Sequence, residues 1–326
     1  MAEKKGKVLC VDDEPNIVRA LQWLLQKEFD VKTATSGQDA IALVRVNDFD
    51  VVISDQRMPG MTGVELLREI RKLAPRAMRI LLTGYSDYQA ILRSVNESEV
   101  FRFINKPWNI TELPRIVEQA ATIAKTQPVA SGEPELTEDS AIVVSGNNLL
   151  LIDDDPAMRT AVASVLGNAV TVQYAPNLAE AVTILNEQPI SVIVSETRVG
   201  SIDATRLIRL MKQKHPEIVT VMLTGENDAD TVTSLINQGQ IYRFVPKPLR
   251  PGYLKLVVNS ALVKHKQLME NPAFASRHVV QVTAAGTVDH LMADVQKVAA
   301  QVGGTTAGSG GGLFGRLATG FKRLFG

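Results

Sequence analysis

The sequence has 326 residues but only one cysteine, Cys10, which excludes a disulfide framework and a cysteine-rich zinc site. Cys10 lies in the apolar run Val8–Val11, so we expect a buried structural thiol. No apolar run approaches the roughly 18 residues of a membrane-spanning helix. The N-terminus also lacks the apolar stretch of a signal peptide, so a cytoplasmic protein is expected.

The sequence carries no excess of either charge, since 35 Lys and Arg residues balance 35 Asp and Glu residues. This balance argues against binding of nucleic acid by the chain as a whole. The sum hides local asymmetry, because Gln127–Ser140 contains four acidic and no basic residues, whereas no acidic residue follows Gln301. The length predicts about two domains.

An internal repeat in the sequence supports the expectation of two domains. At a constant offset of 141 residues, Asp12-Asp13 aligns with Asp153-Asp154 and Lys106-Pro107 aligns with Lys247-Pro248. Three further motifs align at the same offset. A period this long exceeds that of repeat solenoids and indicates a duplicated domain.

Each copy alternates short β-branched runs with helical patterns. This alternation predicts an α/β fold in which helices cover both faces of a parallel five-stranded sheet. The predicted order of elements is (βα)5 in each of the two copies. A helix over Tyr88–Val95 is predicted before the fifth strand of the first copy, and Trp23 is expected to pack partly in the core. The predicted strands of the first copy are Val8–Asp12, Asp30–Ala34, Val51–Asp55, Arg79–Thr83 and Val100–Ile104.

Polar residues follow the strands of the first copy where ligands collect in such sheets, at the carboxyl ends. Asp12, Asp13 and Asp55 end two strands, Thr83 ends a third, and Lys106 follows the last. Three clustered carboxylates repel one another, so either one of them is protonated or a cation lies among them. Oxygen ligands of this kind favour Mg²⁺. The lysine and threonine add a positive charge and a donor, which together suit a phosphoryl group.

The motifs VDDEP, SDQRMPGMTG, LLTGYSD and RFINKPW occur in this order, and residues 5–125 resemble the receiver domain of bacterial two-component response regulators. The resemblance implies a flavodoxin-like fold and a phosphoacceptor, Asp55, which takes phosphate from a sensor histidine kinase or phosphotransfer protein. It also implies Mg²⁺ bound by Asp12, Asp13, Asp55 and the backbone carbonyl of Arg57.

The same resemblance implies a switch. Lys106 is expected to pair with the phosphoryl oxygens, while Thr83 and Phe103 form the switch pair that reshapes the face made by the fourth strand, the following helix and the fifth strand. Gly84 is expected to leave room for the phosphoryl group. Lys106-Pro107 is expected to have a cis peptide bond.

The second copy, within residues 147–268, also resembles a receiver but carries Glu196 where the first has Asp55. Glutamate is one methylene longer, and misplacement by about 1 Å can cost roughly 10²-fold in rate, so this copy is expected not to be phosphorylated. Glu196 either imitates a phosphorylated aspartate or marks a degenerate site in a domain kept for dimerisation or docking. The other site residues retained are Asp153, Asp154, Thr224, Phe244 and Lys247.

The remaining segments are predicted from composition. Residues 126–146 form an acidic linker, and residues 269–312 hold one helix and a Gly-rich spacer. Residues 313–326 predict a basic amphipathic helix. This tail fits a partner's groove, an anionic membrane surface, or packing back on one receiver.

The sequence shows no HD…GYP pattern, no P-loop and no helix-turn-helix after residue 270. We therefore expect a response regulator without enzymatic or DNA-binding output, which signals through phosphorylation-dependent contact with another protein. A homodimer is a further candidate assembly. Two alternatives stay open. One is a regulatory relative or subunit of a cyclic-di-GMP phosphodiesterase, and the other is a phosphate sink for a kinase.

Overall fold

The computed structural model describes residues 4–84, 96, 98–126, 137, 140–141, 147–225, 235–237, 241–272, 291–297, 320 and 323–324. The chain divides into two compact units. The first comprises Met1–Glu133 and Asn227–Asn237, and the second comprises Pro134–Glu226 and Gln238–Gly326. Within the described residues, no helix is both long and apolar enough to cross a membrane.

The first unit contains a parallel five-stranded sheet in the order β2-β1-β3-β4-β5. Its elements are β1 (Lys7–Val11), α1 (Pro15–Leu25), β2 (Asp30–Ala34), α2 (Gly37–Val46), β3 (Val51–Asp55), α3 (Gly63–Leu73), β4 (Met78–Thr83), β5 (Arg102–Asn105) and α4 (Glu112–Thr126). The predicted helix over Tyr88–Val95 lies outside the described residues.

Both faces of this sheet are buried, which explains why its inner strands are mostly apolar. Every residue of β3 and β4 is buried. Alternate strand residues such as Cys10 and Ile53 pack with Leu21 of α1 and Val117 of α4 in one core cluster. Their sequence neighbours point to the opposite face, as the two-residue period of a strand requires.

Local sequence signals set where the helices begin. Pro15 opens α1, where its missing N–H costs no helical hydrogen bond. Ser36 caps α2 by accepting a hydrogen bond from the Asp39 N–H. Thr62 and Glu65 form a capping box at the start of α3, immediately after the strand that ends in Asp55.

The second unit repeats this topology, with strand order β12-β11-β8-β6-β7 and a separate two-stranded hairpin, β9-β10. Its elements are β6 (Asn147–Ile152), α5 (Pro156–Leu166), β7 (Val170–Ala175), α6 (Leu178–Glu187), β8 (Val192–Glu196), β9 (Arg198–Val199), β10 (Ile202–Asp203), α7 (Thr205–Lys214), β11 (Val219–Thr224), β12 (Arg243–Pro246) and α8 (Pro251–Glu270).

The predicted fold class, two parallel five-stranded sheets flanked by helices, is confirmed. The cis peptide bond expected at Lys106-Pro107 is present, and Lys247-Pro248 has one too. The expectation for Trp23 was wrong, because its side chain is 75% exposed. Trp23 lies two positions from Leu21 and Leu25, which are both buried, and two helical positions place it on the opposite face of α1.

Candidate functional site

The carboxyl edge of the first sheet brings together an acidic pair and a lysine. Asp12 follows β1, Asp55 ends β3, and Lys106 follows β5. The Nζ atom of Lys106 lies 2.7 Å from Oδ2 of Asp12 and also contacts Oδ1 of Asp55. The structure therefore places these three predicted residues in direct contact, although 94 positions separate Asp12 from Lys106 along the chain.

Burial makes the charges of this cluster strongly interdependent. Asp12 and Asp55 are both buried, whereas Lys106 is half-buried. Burial raises the pKa of Asp55 above its ordinary value, although hydrogen bonding to Lys106 opposes that rise. For Lys106, burial alone would lower the pKa, but its bonds to Asp12 and Asp55 prevail and the pKa is raised. The ammonium group is thus held charged beside the carboxylates.

Backbone N–H groups orient both carboxylates. The Arg57 N–H donates to Oδ2 of Asp55 at 2.6 Å, and the Glu14 N–H donates to Oδ1 of Asp12 at 3.0 Å. Asp55 therefore has one oxygen on Lys106 and the other on the loop that follows β3. The sequence predicted only the carbonyl of Arg57 as a site atom, and the role of its N–H was missed because it depends on the loop conformation.

Gly63 is a second residue that the sequence reasoning missed. A Cβ atom at Gly63 would lie 2.1 Å from the carbonyl oxygen of Asp55, so any side chain would collide with the backbone of the acidic residue. The Gly63 N–H also bonds to the carbonyl of Gln56 at 3.0 Å. Close approach of α3 to the end of β3 therefore requires glycine here. The glycine four residues after Pro59, at the end of SDQRMPGMTG, was the available sequence signal.

The expected switch residues lie on β4, which is next to β3, and on β5, at the edge of the sheet. Thr83 is buried at the end of β4, and its hydroxyl donates to the carbonyl of Gly84 at 3.1 Å. Phe103 is buried on β5, where it is paired in register with Leu81. A Cβ atom at Gly84 would meet no atom of the described residues within 4 Å.

The oxygen donors expected to hold Mg²⁺ are only partly gathered. Asp13 is half-buried next to Asp12. Across the described part of the chain, no group of three or more His, Cys, Asp or Glu side chains is arranged to hold a metal ion. Instead, Lys106 bridges Asp12 and Asp55. The donor set, carboxylates and a backbone carbonyl at one sheet edge, still matches the chemistry that a hard divalent cation prefers.

The second unit keeps the lysine bridge but changes the acid. Lys247 lies 3.0 Å from Oδ2 of Asp153 and contacts Oε2 of Glu196. The side chain of Glu196 is 16% exposed, compared with 8% for Asp55. For Lys247, burial would lower the pKa, but the bonds to Glu196 and Asp153 raise it. The side chain of Thr224, also predicted for this site, lies outside what the structure describes.

The loop after Glu196 is rebuilt relative to the first unit. Oε1 of Glu196 accepts from the adjacent Thr197 N–H at 2.9 Å, whereas Asp55 accepts from the N–H two residues on. The Gly200 N–H donates to Oδ2 of Asp154 at 3.0 Å. An acidic side chain expected to bind metal is therefore engaged by the β9-β10 hairpin.

The described parts of the C-terminal extension pack within the second unit. Residues 291–297 are helical, and Asp294 forms an ion pair with Arg206 of α7 at 3.3 Å. Leu324 is only 8% exposed. A Cβ atom at Gly320 would lie 2.4 Å from Nδ2 of Asn186 on α6. Arg323 is exposed, and the rest of the predicted tail helix lies outside the described residues.

Comparison with known proteins identifies the family of both copies. A family model for the response regulator receiver domain matches residues 8–118 and again 149–259. The chain is 42% identical over 120 residues to the hydrogenase transcriptional regulatory protein HoxA of Cupriavidus necator, covering 37% of this chain and 25% of that protein. It is 30% identical over 161 residues to the DNA-binding transcriptional regulator NtrC of Salmonella typhimurium, covering 48% and 31%.

Among solved structures, the signal receiver domain of an HD domain-containing protein from Pseudomonas fluorescens is 34% identical. That match covers 37% of this chain and 98% of the other, with a TM-score of 0.36. The chain thus spans about a quarter to a third of the length of the curated relatives it matches.

Proposed function

The chain belongs to the response regulator receiver family, and from this premise we propose that Asp55 accepts a phosphoryl group from the phosphohistidine of a sensor histidine kinase or phosphotransfer protein. One observation carries the proposal. Asp55 is a buried carboxylate whose two oxygens are oriented separately, one by Lys106 and one by the Arg57 N–H. A carboxylate held in this way is a positioned nucleophile.

The transfer exchanges one bond for another. An oxygen of Asp55 forms a bond to phosphorus while the bond from phosphorus to the histidine nitrogen breaks, and its electron pair stays on the imidazole. Lys106 neutralises the negative charge on the transferred oxygens. Asp12, Asp13, Asp55 and the Arg57 carbonyl would hold Mg²⁺, which supplies further neutralisation when bound.

We propose that the second unit does not accept phosphate. The Glu196 carboxylate is displaced by one methylene and bonds to the adjacent N–H, and the Gly200 N–H engages Asp154. In-line attack requires the attacking carboxylate oxygen to lie within about 1 Å of its productive position. We expect these changes to move the oxygens of Glu196 away from that position. The intact pairing of Lys247 with Glu196 and Asp153 preserves the charge balance of the site without phosphate.

Output is proposed to occur through protein contact that depends on the state of Asp55, because the switch residues Thr83 and Phe103 lie at one side of the first sheet. Fast loss of phosphate without a change in any contact would instead favour the phosphate sink. Hydrolysis of cyclic-di-GMP by the chain would favour the phosphodiesterase relative.

Counting phosphoryl groups tests the acceptor assignment. After incubation of the full chain with a small phosphodonor and Mg²⁺, intact mass spectrometry is expected to show a single added phosphoryl group, and peptide mapping to place it on Asp55. The reason is that only one of the two units holds an aspartate at the acceptor position. Two groups per chain, or a group on the peptide containing Glu196, would contradict the proposal.

For the tail, we propose packing on the second unit rather than on a membrane, because Leu324 is buried and Gly320 approaches Asn186 closely. The full chain and a chain ending at Gly312 are expected to co-sediment equally with liposomes of anionic lipid. Neutral liposomes serve as the control. Greater sedimentation of the full chain with anionic liposomes alone would show that the basic tail binds the membrane surface.

A further inference from the structure

The second unit buries one face of a helix that is exposed in the first unit. On α6, Ala179 and Val182 are buried, and Asn186, which lies on the same face, is half-buried. The residues 141 positions earlier, on α2, include Gln38 and Arg45, which are both exposed. Shorter side chains thus replace long polar side chains on this face, which indicates that a further segment covers it.

The neighbouring helix, α7, differs from its counterpart in the same way. Leu210 is 3% exposed, whereas the equivalent residue of α3, Glu69, has a side chain that is 36% exposed. Arg206 lies one turn before Leu210 and replaces the exposed Glu65, which reverses the charge at that position. In addition, α2 packs closely against α3, whereas α6 and α7 do not pack closely against each other. The second unit therefore has room for a further segment beside an apolar surface.

Residues 291–297 supply a helix that fits this surface. Leu291 and Val295 are buried and lie four positions apart, so they occupy one face of the helix. Asp294 directly precedes Val295 and forms an ion pair with Arg206 at 3.3 Å. Because both charged side chains are partly exposed, the ion pair adds little affinity, but it fixes which part of the helix meets α7.

Gly320 reaches α6 at the same face. A Cβ atom at Gly320 would lie 2.4 Å from Nδ2 of Asn186. That nitrogen is held in place, because it donates to the carbonyl of Val182 at 2.8 Å. A larger residue at position 320 would therefore have to displace a bonded amide, and glycine lets the backbone come this close.

We infer that the second unit has a docking site for the C-terminal extension of the same chain, and that residues 291–297 are its main ligand. An amphipathic helix here lays its apolar side on a complementary surface. The part played by Gly320 rests on the proposed packing of the tail, whereas residues 291–297 carry the inference by themselves. The altered second copy thereby has a role that needs no phosphate, which is to hold the extension. The docking site, the α6–α7 face, comprises Ala179, Val182, Asn186, Arg206 and Leu210.

Amide hydrogen exchange in residues 291–297, measured by mass spectrometry on the full chain, tests the docking. Leu291→Asp is expected to raise the exchange rate on the order of tenfold, because a charged side chain cannot stay in the buried position. Ala293→Asp adds the same charge at an exposed position of the same helix and is expected to change the rate by less than about twofold. Equal rates in wild type and Leu291→Asp, or equal increases in both variants, would overturn the inference.

Leu210→Glu tests the α6–α7 face itself, since the first unit carries a glutamate at the equivalent position of its own helix. The second unit is therefore expected to stay folded, and unchanged exchange of the β8 amides verifies this. Exchange in residues 291–297 is expected to rise on the order of tenfold, because the helix would have to bury the new charge. If that exchange stays at the wild-type rate while β8 remains protected, the helix does not dock on α7 and the inference fails.

A charge exchange tests the register of the helix. Arg206→Asp and Asp294→Arg each place like charges opposite each other, so each is expected to raise the exchange rate in residues 291–297 about threefold. The double variant restores an ion pair of reversed polarity and is expected to return close to the wild-type rate. A double variant in which the two single effects multiply would show that these side chains do not meet and would overturn the assigned docking.

Dilution identifies the molecule that supplies the helix. Because a tethered segment has a fixed effective concentration, slow exchange in residues 291–297 is expected to persist on dilution. Slow exchange that is lost on dilution would assign the helix to a second molecule and overturn the inference. Failure of the proposed tail packing is distinguishable, because the full chain would then sediment with anionic liposomes while residues 291–297 stayed slow to exchange.

Discussion

Asp55→Asn is expected to abolish phosphoryl incorporation into the full chain. The substitution keeps the shape of the side chain but replaces the anionic nucleophile with a neutral amide, which cannot form an acyl phosphate by the same displacement. The Arg57 N–H keeps an acceptor if the amide oxygen faces it, so the loop after β3 need not rearrange. Incorporation is followed with a radiolabelled phosphodonor over the time in which wild type reaches saturation.

The duplicated chain supplies a matched control for this result. Glu196→Gln makes the corresponding change from acid to amide beside Lys247 in the second unit. Since Glu196 is proposed not to accept phosphate, this variant is expected to incorporate as much as wild type. Label that survives Asp55→Asn, or that falls in Glu196→Gln, would mean that the second unit takes part in acceptance.

The contact of Lys106 with Asp12 and Asp55 could be predicted from the sequence because parallel sheets impose simple geometry. Strand ends of a parallel sheet meet at one edge, so apolar runs ending in Asp12 and Asp55, followed at a distance by Lys106, were enough to predict their contact. The strand bounds differ by only one or two residues, as at β5, which was predicted to begin at Val100 and begins at Arg102. Both lysine bridges follow from the same rule.

The remaining features depend on information that periodicity does not carry. The hydrogen bond from the Arg57 N–H to Asp55 and the lack of room for a side chain at Gly63 both depend on the conformation of the loop after β3. The prediction for Trp23 was wrong for another reason. Residues two positions apart in sequence lie on opposite faces of a helix, so the helical phase of α1 places Trp23 in solvent while Leu21 and Leu25 are buried.

Lys106→Met is expected to slow phosphorylation of Asp55 on the order of 10²-fold. In enzymes, removal of one preorganised hydrogen-bond donor that faces a developing negative charge slows the reaction by a similar factor. Lys106 is the described cation that contacts both Asp12 and Asp55, and methionine keeps a similar length without the ammonium group. Asp55 remains present, so slow incorporation should persist, unlike the complete loss in Asp55→Asn. Initial rates with saturating phosphodonor measure the difference, and circular dichroism verifies the fold.

Lys247→Met makes the same change at the equivalent position of the second unit, where Lys247 bridges Asp153 and Glu196. Lys247→Met is expected to leave the initial rate of phosphorylation unchanged, because Lys247 pairs with a carboxylate, Glu196, that is proposed not to attack phosphorus. If both lysine variants slowed the reaction equally, the effect of Lys106 would be a general loss of stability or charge. A loss confined to Lys106→Met would assign the ammonium group of the first unit to the transfer itself.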